Sequence, residues 1–144
     1  MRFLLFDRVA AIEPGRRIEA VACFSLKDEH HRGGPRRPLV PASMVLEAML
    51  QALGWLVVRT HEFRRMPFLS LLEDATLPPD LAPGTSLRLA GELLSTNPQG
   101  SVGRAEATAD GRPVASIGRV LYGHFPVESP DVLRRTFAAY EARS

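Results

Sequence analysis

From position 42 to about position 59 the chain is apolar at nearly every residue, and its polar exceptions, Ser43, Glu47 and Gln51, fall four apart. That spacing puts them on one helix face. The segment therefore reads as a helix from Ala42 to about Arg59, buried on most sides and carrying one polar stripe. Upstream, Pro35, Pro38 and Pro41 hold the chain out of a helix, because each fixes φ and has no N–H to donate. Elsewhere the pattern turns β-like. Phe3 to Ile12 is an apolar run closed by Pro14-Gly15, a turn dipeptide. Ile18, Ala20, Ala22, Phe24 and Leu26 alternate with residues such as Glu19 and Ser25, a half-buried strand pattern. Further strands are expected over Phe68–Leu77, around Leu87–Leu93, through Ala105–Ala109 and over Val114–Tyr122, with Asp110-Gly111 as a tight hairpin turn. Leu133, Phe137 and Tyr140 predict a short terminal helix over Leu133–Ala142.

A buried helix followed by antiparallel strands is an α+β pattern. A sheet wrapped around that helix would explain why it is apolar nearly all round. The 144 residues form about one domain, 1–144, with no internal repeat or low-complexity tract.

Composition narrows the function. The chain is 45% hydrophobic and 24% charged, as in soluble globular proteins. A formal charge of +2 is too small to point to nucleic acid or an anionic membrane. The apolar helix is expected to be shorter than a membrane span and is interrupted by Glu47 and Gln51. The N-terminus, interrupted by Asp7 and Arg8, lacks a signal-peptide pattern. The single cysteine, Cys23, fits a half-buried strand position and a reducing cytoplasm.

The run Arg37-Pro38-Leu39-Val40-Pro41, followed by Glu47-Ala48-Met49 and Gln51, resembles the core signature of the 3-hydroxyacyl-[acyl-carrier-protein] dehydratases. Three flanks agree: Phe3 to Val9 with Glu13-Pro14-Gly15, Pro83 to Leu87, and Asp110-Gly111. The resemblance spans about Phe3 to Tyr122, leaving 123–144 as a C-terminal extension. It implies the hotdog fold, an antiparallel sheet around a long central helix, and a dimer with sites at the subunit boundary. It also implies fatty acid or polyene/polyketide-type biosynthesis on acyl carrier protein or CoA thioesters, without a cofactor. One departure matters. The position matching the family's catalytic histidine is Gly33, with Gly34 and Arg36 altered beside it. The acidic half of the family's dyad, Glu47, is present and the basic half is missing.

Glu47 is the leading catalytic candidate. A carboxyl in an apolar helix is costly to bury charged and tends to a raised pKa, which suits acid–base work. The competing reading is a structural carboxylate bonded to its neighbours. Gln51, one turn on, would orient it. The helix start at Ala42-Ser43 offers backbone N–H groups and the positive dipole end to a thioester carbonyl. Ser43 itself reads as a cap or surface residue. His31, with His30 beside it, is the candidate replacement base, against the reading of both as solvated loop histidines. Arg36 and Arg37 suit an acidic carrier protein or its phosphopantetheine phosphate. Asp28-Glu29-His30-His31 lacks zinc spacing, so no metal is expected. His124 lies in Gly123-His124-Phe125-Pro126, which mimics the family's catalytic tetrapeptide but follows the last strand, and it reads as a coincidental loop. Three functions stay open: a dehydratase subunit, active with a histidine-containing paralogue and weak as a homodimer; a non-catalytic acyl-thioester or carrier-protein binder; and a hotdog thioesterase.

Overall fold

The structure is a computed structural model that describes residues 4–24, 39–77 and 81–142. His30, His31, Gly33, Gly34, Arg36 and Arg37 lie outside the described residues. In chain order the elements are β1 (Arg8–Glu13), β2 (Arg17–Cys23), α1 (Ala42–Thr60), β3 (Arg65–Thr76), β4 (Ser86–Asn97), β5 (Gly100–Ala109), β6 (Arg112–Pro126) and α2 (Pro130–Ala142). The six strands form one sheet in the order β1-β2-β4-β5-β6-β3, and every pairing is antiparallel. Helix α1 packs on the sheet's inner face. This is the expected α+β arrangement of a sheet curled about a central helix.

Period-two alternation decides which side chains meet the helix. Leu87, Leu89 and Leu93 of β4 and Ala105 and Ala107 of β5 are buried, while Arg88 and Glu106 between them face water. On β6, Ile117 pairs with Ala105 but Val120 pairs with Gly103. The register therefore shifts near Gly118-Arg119, and both Ile117 and Val120 stay buried. Close approach of α1 depends on glycine. A Cβ at Gly103 would lie 2.8 Å from the Glu92 carbonyl oxygen and 3.0 Å from a Leu53 methyl. The hairpin β5–β6 turns through Asp110 (φ 52°) and Gly111 (φ 74°), the positive-φ pair that Asp-Gly favours.

The ends of several elements differ from the sequence expectation. β1 starts at Arg8, not Phe3, because the Leu5 amide donates to the Gln51 side chain at 2.7 Å instead of joining the ladder. β2 ends at Cys23, and Ser25 and Leu26 lie outside the described residues. β3 begins at Arg65, with Pro67 tolerated on this edge strand. β6 runs on to Pro126, so Gly123 to Pro126 is strand and not a loop. α2 starts at Pro130, where a proline in the first turn loses no helical hydrogen bond. Its Phe137 stacks on Trp55 of α1 at 5.3 Å and 9°. Burying such a ring contributes about 1.5–3 kcal/mol.

Helix α1 is less enclosed than its composition implied. Ten of its 19 residues are buried, from Val45 to Val58, but the stripe that includes Glu47 is open. Its mean hydropathy of 1.3 over a membrane-span length corrects the expectation that it is too short. Burial against the sheet identifies it as a core helix.

Candidate active site

Glu47, Leu50, Gln51, Gly54, Trp55 and Val58 recur at helical spacing along α1 and form one wall of a cleft of about 470 Å³. The opposing wall is Met66, Pro67 and Leu69 of β3, with Tyr122 of β6 between them. Leu4 and the α2 residues Leu133 and Thr136 complete it. The polar groups of the α1 wall are therefore at one end, Glu47 and Gln51, and the rest of that wall is apolar.

Gln51 is placed by the chain entering β1. Its Oε1 accepts from the Leu5 amide at 2.7 Å, which leaves Nε2 to donate to Glu47 Oε1 at 3.3 Å. Gln51 therefore links the segment before β1 to Glu47. The expectation that Glu47 is buried does not hold within the single chain. Its side chain is exposed where it lines the cleft. Ala42 is half-buried and Ser43 exposed, and neither lines the cleft. Ser43 is not the cap either: Pro41 occupies that position without a side-chain bond.

Tyr122 is a site residue that the sequence did not flag. Its hydroxyl donates to the Leu50 carbonyl at 2.6 Å, tying β6 to α1 in the middle of the cleft. A Cβ at Gly54 would make only ordinary contacts, 3.9 Å from the hydroxyl and 3.4 Å from Pro67. Burial pushes the Tyr122 pKa well up, and the nearby negative charge of Glu47 adds to the shift. Tyr122 therefore stays a neutral donor. Trp55 is both a buried core residue and part of the cleft wall. Its Nε1 is buried without a hydrogen-bond partner among the described residues. Rings pack around it at Phe6, Phe137 and Tyr140.

A second polar cluster sits at the other end of α1. His61 Nε2 meets Thr96 Oγ1 at 2.7 Å, Thr96 meets Ser101 Oγ at 2.7 Å, and Ser101 meets His124 Nε2 at 2.9 Å. His124 Nδ1 faces the Pro98 carbonyl at 3.2 Å. A carbonyl only accepts, so Nδ1 carries the proton and neutral His124 accepts from Ser101 at Nε2. The direction then runs back through Thr96, with His61 Nε2–H as first donor. Burial lowers the pKa of both imidazoles. Arg65 adds to this for His61; His61 and Arg65 add to it for His124, against the Pro98 bond. His61 lies fourteen residues beyond Glu47, about 21 Å along a helix. His124 is thus a structural partner of His61 and not a base for Glu47 of the same chain.

A larger hollow of about 570 Å³ lies on the sheet's outer face among Arg17, Glu19, Glu92 and Arg104. Four of its charges pair across it, Arg104 with Glu92 at 2.8 Å and Arg17 with Glu19 at 3.4 Å. These are solvated ion pairs of small energetic worth. Among the described residues no three His, Cys, Asp or Glu side chains converge as metal ligands.

No family model matches the chain. Curated relatives do. The chain is 36% identical over 107 residues to the 3-hydroxyacyl-[acyl-carrier-protein] dehydratase FabZ of Symbiobacterium thermophilum, covering 73% of this chain and 75% of that protein. It is 33% identical over 129 residues to the FabZ of Thioalkalivibrio sulfidiphilus, covering 84% and 87%. The chain belongs to the 3-hydroxyacyl-[acyl-carrier-protein] dehydratase family. Solved structures agree on the hotdog fold. The dehydratase heterocomplex ApeI:P of Xenorhabdus doucetiae superposes with a TM-score of 0.63 at 13% identity, covering 92% of this chain and 89% of that one. The fluoroacetyl-CoA thioesterase FlK superposes with a TM-score of 0.64 at 13% identity, covering 88% and 97%. In this chain Glu47 of α1 lies on the wall of the cleft.

Proposed function

We propose that the protein binds 3-hydroxyacyl thioesters of acyl carrier protein or CoA in the α1–β3 cleft and serves as the acid-bearing subunit of a dehydratase in the cytoplasm. The observation that carries this is the placement of Glu47, held by Gln51 at the polar end of an otherwise apolar α1 wall. In this reading the thioester end lies by Glu47 and the acyl chain along Leu50, Gly54 and Trp55. Dehydration removes a proton from C2 and the hydroxyl from C3 as water. Glu47 protonates the departing hydroxyl, and a base must take the C2 proton. Gly33 has no side chain for that task, so the base comes from a histidine-containing paralogue. His31 is the alternative within the chain. Arg36 and Arg37 are proposed to meet the carrier protein's acidic surface or its phosphopantetheine phosphate.

Strand β3 supports pairing with a second subunit. Among the described residues it is an edge strand whose one strand neighbour is β6, and Phe68, Leu69 and Leu71 on it are 44–50% exposed. A long apolar edge is a template for another strand. Because Met66, Pro67 and Leu69 also line the cleft, a subunit added there would cover the exposed Glu47 and complete the site.

The test is dehydration of 3-hydroxyacyl thioesters by the purified chain, alone and co-expressed with a histidine-containing paralogue. Turnover is expected only or mainly with the paralogue. Robust turnover by the homodimer, unaffected by His31→Ala, contradicts the subunit reading. Thioester hydrolysis without dehydration would replace it with a thioesterase, Glu47 activating water.

A further inference from the structure

Helix α2 lies beyond the stretch that carries the family resemblance, yet two of its residues, Leu133 and Thr136, line the cleft. Its position is fixed by aromatic contacts. Phe137 stacks on Trp55, Tyr140 packs edge-on to Phe6 at 5.4 Å, and the Arg134 guanidinium sits 5.0 Å above the Phe63 ring. Trp55 and Phe63 belong to the C-terminal half of α1 and the turn after it, the end remote from Glu47. Leu133 and Phe137 are four apart and share a helix face, so the anchor that seats Phe137 also seats Leu133. Leu133 is partly buried against the core. The Thr136 hydroxyl donates to Val132 of its own helix at 3.1 Å.

The cleft stripe on α1 runs eleven residues from Glu47 to Val58, about 16 Å at helical rise. One end is polar, and at the other the wall passes from α1 to α2. We propose that α2 is a length gauge: Leu133 and Thr136 stop an aliphatic acyl chain whose thioester end lies at Glu47. This rests on the reading of the cleft as an acyl-thioester site, and it adds the residues that select chain length. An end wall of a leucine and a threonine whose hydroxyl is already bonded to its own helix suits a methyl-terminated chain better than one ending in a charge.

The experiment is direct binding of saturated acyl-CoA thioesters, butyryl to palmitoyl, to the intact chain and to Leu133→Ala, Leu133→Phe and Thr136→Met. Saturated chains cannot be dehydrated, so binding is read apart from turnover. In the wild type affinity should rise about fourfold per methylene until the chain meets α2, and then level or fall. Leu133→Ala should move that break to longer chains. Leu133→Phe and Thr136→Met should move it to shorter ones, and Thr136→Met serves where Leu133→Phe fails to fold. Binding with the same break in all folded variants overturns the gauge and leaves the acyl-thioester site standing. Failure of the wild type to bind any chain length overturns the site and the gauge together.

Discussion

Gln51 offers a clean separation of folding from chemistry, because its two amide atoms do different work. Oε1 accepts from the Leu5 amide at 2.7 Å, and Nε2 donates to Glu47 at 3.3 Å. Gln51→Leu removes both bonds. It leaves a half-buried N–H unsatisfied, which costs about 1–3 kcal/mol. At about 2–4 °C per kcal/mol for a chain of this size, the melting temperature should fall by several degrees. Gln51→Glu keeps an acceptor for Leu5 but replaces the donor with a second carboxylate next to Glu47. Two unit charges at this separation repel by about 1 kcal/mol in water, so Glu47 swings away while the Leu5 bond survives. The melting temperature should then change little. Turnover, in whichever assembly is active, should fall about 10²-fold, the cost of displacing a reacting group by about 1 Å. The assay is paired: thermal melts and single-turnover dehydration on wild type, Gln51→Leu and Gln51→Glu. Full turnover in Gln51→Glu refutes the orienting role. A wild-type melt in Gln51→Leu refutes the claim that this side chain pins the start of β1.

The remaining predictions address the frame. His61 and His124 both have folded pKa values below 6.5, so the unfolded chain binds more protons just below that pH. Stability should be full above pH 6.5 and fall as pH drops through it; a urea midpoint flat across that window, or a slope that persists in the double variant His61→Gln/His124→Gln, contradicts the network. Gly103→Ala places a methyl 2.8 Å from the Glu92 carbonyl oxygen and 3.0 Å from Leu53, and overpacking of this kind costs about 1–3 kcal/mol. An unchanged or raised melt would show that α1 has room to move. Gly33→His restores the family's base position, and loss of a general base typically costs about 10²–10⁴-fold. A gain of homodimer turnover of that order is expected, and no gain in a folded Gly33→His variant counts against the missing histidine as the sole defect.

Much of the architecture was legible because it rests on short-range pattern. Leu87, Leu89 and Leu93 announce β4, Asp110-Gly111 announces the turn between β5 and β6, and the four-residue spacing of Glu47 and Gln51 places them together on α1. The element ends were less legible, because long-range bonds set them. Leu5 leaves β1 for a side chain forty-six residues away, and no local signal marks that. The openness of the Glu47 stripe was missed because the apolar composition of α1 suggested burial on most sides, whereas the packing of the described residues leaves Glu47 exposed. Tyr122 and α2 entered the site unannounced for the same reason: their contacts with Leu50 and Trp55 are tertiary. Gly123 to Pro126 looked like a loop because it follows the strand expected to end at Tyr122, yet it lies at the end of β6, where Pro126 pairs with Arg65.

In the proposed function Glu47 supplies the acid of a dehydratase site shared with a second subunit. Glu47→Gln tests it most directly, since the isostere keeps shape and the Gln51 contact while removing the transferable proton. The measurement is the single-turnover rate of 3-hydroxyacyl-thioester dehydration by the complex with a histidine-containing paralogue, alongside the affinity for a saturated thioester. The account predicts a rate lower by about 10²–10⁴-fold with assembly and affinity retained. An undiminished rate in Glu47→Gln contradicts it.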